Sequence, residues 1–219
     1  MPPIDLEREA VGRSIAAVLM AQQIRQGGRI HAETILSGIG ALAGFAAQMS
    51  IRKGVIEPQH MDPSSVLTEI VTKNGEKYYF GDLLNLILFE NVDRPPYSVW
   101  AYLLDVVPQP ERLLLPDPGE ILGHAARTIG TLRFGVPRLP AEHRPQILPR
   151  VALQQHWHVV QHELGASRAP SEWPYDLAFA AQWQMLTSRD RLTLPLAARI
   201  VMEAAVPMSK VDPTTIPGA

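Results

Sequence analysis

The chain of 219 residues carries Lys+Arg 20 against Asp+Glu 22, a formal charge of -2, and no cysteine. Disulfide frameworks, thiolate zinc sites, thiol redox chemistry and a cysteine nucleophile are thereby excluded, and no overall field favours nucleic acid or an anionic membrane. With 46% hydrophobic residues, a chain of this length can bury a core without staples.

The start, Met1-Pro2-Pro3-Ile4-Asp5, has neither a basic n-region nor an apolar h-region, so a cytoplasmic location is expected. Asp5 is placed to cap a first helix, with Val11, Ile15, Val18 and Leu19 on one face and Gly27-Gly28 as its stop. The next stretch, from about His31 to Lys53, is the most apolar of the chain. A helical wheel divides it into a bulky side (Ile35, Ile39, Leu42, Met49) and a small side (Ser37, Gly40, Ala41, Gly44, Ala47). Glycines inside a helix each cost about 1 kcal/mol against alanine, so Gly38, Gly40 and Gly44 imply close approach by another helix. Glu33, Ser37 and Gln48 interrupt the stretch before the roughly 20 apolar residues of a membrane span, so a buried helix is expected and no membrane partner. The small face also admits self-association, which makes a homo-oligomer the expected state.

A hairpin is predicted near 67–80, where Leu67 to Thr72 and Lys77 to Phe80 flank an Asn74-Gly75 turn. Asp82 caps a short apolar helix, Leu83 to Phe89, and another follows Pro95-Pro96 through Trp100 to about Val106. Asp117-Pro118-Gly119-Glu120 combines a capping carboxylate, proline at the first helical position and Glu three residues after the cap, which predicts a helix to about Ile129. From Gly130 the chain turns irregular, as Pro137, Pro140 and Pro145 deny both helix and central strand. Pro149 opens a helix ending at Leu164-Gly165, and two more are expected at Pro174 to Ser188 and Pro195 to Ala205. Residues 207–219, with Pro213 and Pro217, read as a weakly packed tail after a single helical domain spanning 1–206. The fold class is therefore mainly α: a single compact domain of about seven helices with one small β-hairpin.

Two clusters carry chemistry. His158 and His162 stand one helical turn apart, the spacing by which two imidazoles reach one divalent transition metal ion. The apolar stripe Leu153, Trp157, Val160, Leu164 puts them on the opposite, solvated face, and a third ligand has to come from His31, Glu33 or His124. Glu does not follow His158 directly, so a zinc protease is not indicated. His156 reads as a packing or hydrogen-bonding residue. Between His124 and Arg150, five arginines (Arg127, Arg133, Arg138, Arg144 and Arg150) meet a single acid, Glu142. Guanidinium forks suit phosphate and carboxylate, so the Pro/Arg-rich loop 130–150 is a candidate for an anion or for a protein or peptide partner, with salt bridges to the rest of the fold as the alternative.

No Walker loop, no dinucleotide fingerprint and no Gly-x-Ser-x-Gly elbow is present, so no cofactor is evident and catalysis has no motif behind it. Trp100, Trp157, Trp173 and Trp183 read as core residues. The pattern as a whole points to a helical protein acting by association, with a metal-dependent helical-bundle enzyme using His158 and His162 as the alternative.

Overall fold

The computed structural model describes residues 6–25, 30–89, 98–165 and 168–219. The expected Asp5 cap, the Gly27-Gly28 stop and the Pro95-Pro96 start lie outside the described residues. Within them the chain is a mainly α single domain of eight helices with one two-stranded antiparallel hairpin. The helices are α1 (Leu6–Arg25), α2 (Ala32–Ile51), α3 (Asp82–Phe89), α4 (Val99–Asp105), α5 (Pro118–Thr128), α6 (Pro149–Gly165), α7 (Trp173–Thr187) and α8 (Leu194–Met208). The strands are β1 (Thr68–Val71) and β2 (Lys77–Phe80).

The apolar, glycine-rich segment becomes the axis of the molecule. It is α2, buried along its whole length and packed on α8, α7, α6, α3 and α1. Its small face is filled from within the chain: a Cβ on Gly40 would overlap the carbonyl of Val201, and one on Gly44 that of Ala205. The face that suggests self-association is therefore taken by α8, and a second copy has to use another surface. Among the described residues this is the one helix long and apolar enough to cross a membrane, and its apolar window lies inside the fold. Past Ile51 the helix widens into a π turn over Arg52–Ile56, which lays Arg52 over the Tyr79 ring and turns Lys53 toward Trp173.

The flanks follow their patterns. Ile15 and Leu19 of α1 are buried, and so is the α6 stripe of Leu153, Trp157, Val160 and Leu164. Trp100, Trp157 and Trp173 are in the core, with Trp183 packed partly against it. The short α3 is less enclosed than its composition implies, since only Leu84 and Leu88 are fully covered. Asp176 of α7, wholly buried, ties distant segments together. It takes hydrogen bonds from Arg8 Nε at 2.8 Å and Arg168 Nε at 3.1 Å.

The C-terminal segment corrects the expectation of a weakly packed tail. Helix α8 runs through Pro207 to Met208, because the lost N–H of one proline weighs less than the complete burial of Val206 and Met208. Beyond it Val211 and Ile216 are also buried, and the segment adds to the hairpin: Tyr79 N donates to Lys210 O at 2.9 Å, and Tyr78 forms a bridge with Val211. The hairpin itself pairs Thr68 with Phe80 through Val71 with Lys77. Its turn is closed by Gly75 N donating to Thr72 O at 2.9 Å, with Gly75 at φ +81°, the left-handed position that a three-residue hairpin loop requires.

Candidate functional site

The 130–150 region is irregular as expected, broken by one short 3-10 turn at Ala141–His143 and anchored to the helices by polar side chains. Gln146 N donates to Thr34 Oγ1 at 2.9 Å, and His143 Nδ1 lies 3.1 Å from Glu33 Oε1 at the start of α2. The same carboxylate stands 3.4 Å from His31 Nε2, so two imidazoles flank Glu33. The five arginines singled out from the sequence divide by role. Arg138 is the anchor: its Nη2 lies 2.8 Å and its Nε 3.0 Å from Glu203 Oε1, a carboxylate of α8 only 2% exposed. Arg199, one turn back on α8, approaches the same oxygen at 3.9 Å. Arg127, Arg133 and Arg144 are exposed, with no ion pair among the described residues. Arg150, at the start of α6, reaches Glu76 of the hairpin turn at 3.7 Å.

Three of these arginines are near enough to His124 of α5 for their charges to bear on it. Burial lowers the His124 pKa first, and the charges of Arg138, Arg127 and Arg133 lower it further, while Glu203 opposes them. The Nε2 of His124 is buried, with no hydrogen-bond partner among the described residues. The end of α5, the loop and α8 thus form a basic surface on which Glu203 is already engaged by Arg138, while the loop's own acid, Glu142, stands exposed. Its built chemistry is that of a donor array: the exposed forks of Arg127 and Arg133 beside a neutralised Arg138–Glu203 pair suit a phosphate or carboxylate. Glu203 and Arg199 are the partners sequence reasoning missed, and the signal for them was a lone carboxylate in the apolar run Val201-Met202-Glu203-Ala204-Ala205.

His158 and His162 stand on the outer face of α6, both exposed, and line a surface groove of about 520 Å³ with Gln161, Gly165 and Trp173. Gln161, its amide oriented to suit both neighbours, links Lys53 Nζ at 2.7 Å to the carbonyl of Gly218. Of the candidate third ligands, His31 and Glu33 are held with His143 and His124 belongs to the arginine surface. Among the described residues no group of three His, Asp or Glu side chains is arranged to hold a metal ion. His156 is buried, its Nδ1 without a partner, beside Gln23 and Thr34 at a cavity of about 20 Å³, room for one water.

No family model matches the chain, and no curated protein or solved structure is similar enough to bring an activity to these residues.

Proposed function

We propose that this chain works by binding, and that the surface made by the end of α5 and the 130–150 loop takes an anionic group carried by a partner. The observation behind the reading is that Arg127 and Arg133 are exposed with no ion pair among the described residues, while Arg138 of the same stretch is already held by the buried Glu203. The arrangement leaves two planar donor forks facing solvent with no ion pair among the described residues. Because the forks are exposed, the attraction is screened by salt and the affinity for a simple anion is modest.

The test is a titration of the full chain with pyrophosphate, followed by the arginine Nε signals in NMR spectra at low and raised salt. Saturable shifts at Arg127 and Arg133 that weaken with salt and disappear in the Arg127→Ala/Arg133→Ala variant support the proposal. Shifts that do not saturate, or that survive the double substitution, overturn it.

A further inference from the structure

The hairpin lies against this basic surface with one edge open. On its far side β2 is covered, since Tyr79 N donates to Lys210 O and Tyr78 bridges to Val211. Among the described residues nothing pairs with the outer edge of β1. The register says which groups face outward. Thr72 N donates to Glu76 O, so Thr72, Ile70 and Thr68 are the hydrogen-bonded positions, and the N–H and C=O groups of Glu69 and Val71 point away from β2. The outward position of Tyr79 N, opposite Glu69, agrees with that alternation.

Edge strands of this kind are normally blunted by proline, lysine, a bulge or a covering element. Thr68-Glu69-Ile70-Val71 has no proline and no lysine, and its apolar side chains stand in solvent, Ile70 41% and Val71 56% exposed. The end of the strand abuts the arginine loop: Gly130 lies against the Thr72 side chain, and past it Leu132 is fully exposed at a groove shared with Phe134 and Tyr78. Acids at this face are already held, Glu69 by Lys77 at 3.1 Å and by the Tyr79 hydroxyl at 2.8 Å, and Glu76 by Arg150. Among the described residues Lys73 at the hairpin tip and Arg127 and Arg133 on either side of Gly130 form no ion pair, so the surplus is positive.

We infer that β1 is a docking strand, and that the partner is an extended acidic segment with aliphatic side chains that pairs with the outer edge of β1 and carries its carboxylates to Arg127 and Arg133. This rests on the anion-binding reading of the loop and names the class of its ligand. Main-chain hydrogen bonds to Glu69 and Val71 supply the strand addition, alternate side chains meet Val71 and Leu132, and the arginines set the preference for acid. Four residues of β1 span about 13 Å, enough for one short segment.

The experiment is amide hydrogen exchange on the full chain, with a synthetic peptide alternating glutamate and valine as the probe. Oligoglutamate and a peptide alternating lysine and valine are the comparison probes. The expected result is exchange at Glu69 and Val71 slowed by about fivefold or more with the glutamate–valine peptide alone, and relieved by salt. Val71→Pro removes an N–H that takes no part in the β1–β2 ladder, so it abolishes the effect while the Ile70 and Thr72 amides stay protected. If that variant loosens the hairpin, exchange in the unaltered chain still decides the matter.

Oligoglutamate shifting Arg127 and Arg133 while the glutamate–valine peptide leaves Glu69 and Val71 unchanged overturns the docking strand and leaves the anion site standing. Equal protection by the lysine–valine peptide overturns the acidic partner. No response to any probe overturns both.

Discussion

The Cα of Gly44 lies against the carbonyl of Ala205 at a distance that leaves no room for a Cβ. Gly40 stands in the same relation to Val201, while a Cβ on Gly38, on another face, would meet only Ala152 and Leu19, at ordinary contact distances of 3.8 and 3.9 Å. Alanine in place of these glycines therefore has opposite effects. Gly44→Ala gains about 1 kcal/mol of helix propensity but forces α2 and α8 apart, for a net loss of about 2 kcal/mol or more. Gly38→Ala keeps the propensity gain of about 1 kcal/mol. Urea denaturation of the two variants checks this, and equal effects would remove the close crossing as the reason for the glycines.

Arg138 and Arg133 separate structural from functional arginine. Arg138→Met leaves the buried Glu203 carboxylate with the distant Arg199 and the long backbone N–H contact of residue 138 at 3.4 Å, and costs about 2–3 kcal/mol of stability. Adding Glu203→Met to it recovers most of the loss, because a well-packed apolar pair replaces a buried ion pair at little net cost. Arg133→Ala, whose side chain is exposed, stays within about 0.5 kcal/mol of the parent and weakens pyrophosphate binding. A double-mutant cycle by chemical denaturation tests the first pair. Titration with pyrophosphate tests Arg133, and an Arg133 variant that binds as the parent does counts against the loop as the site.

Local signals were legible in the sequence and long-range pairings were not. Asp117 caps α5 as its motif requires, its side chain accepting from Gly119 N at 2.9 Å. The outward setting of His158 and His162 follows from the same wheel that puts Trp157 in the core. The C-terminal segment was misread because proline content is a local property, while the burial of Val211 depends on β2, more than a hundred residues earlier. The arginine surface was half legible: the loop's charge imbalance was visible, but the pairing of Arg138 with Glu203 across 65 residues was not.

The α6 histidines make a prediction of their own. Two imidazoles on an exposed face, with no third protein ligand among the described residues, hold a divalent transition metal weakly. Protein purified without a histidine tag is expected to carry metal well below one equivalent. Added Ni²⁺ is expected to bind and to quench the tryptophan at the groove, Trp173, an effect lost in the His158→Ala/His162→Ala variant. Elemental analysis of both proteins is the check. Near-stoichiometric metal that the variant loses would favour a metal-dependent enzyme over the binding reading.

Lys210 sets the alkaline side of the stability profile. Its side chain is 2% exposed, its Nζ has no hydrogen-bond partner among the described residues, and it lies over the Phe80 ring, 4.9 Å from the centroid. Burial lowers its pKa from 10.5 to about 8. Between those values the unfolded chain holds a proton that the folded one has released, so stability rises with pH across that window. Below it the folded state carries the full cost of a buried ammonium. A shift of this size corresponds to about 3 kcal/mol. Tyr78 and Tyr79, both raised by burial, act in the opposite sense only above their ordinary value of 10.0, which leaves the lower part of the window to Lys210. Lys210→Met is expected to stabilise the chain at neutral pH by an amount of that order and to flatten the rise between pH 8 and 10, read by urea denaturation at several pH values. A slope unchanged by the substitution would place the titrating group elsewhere.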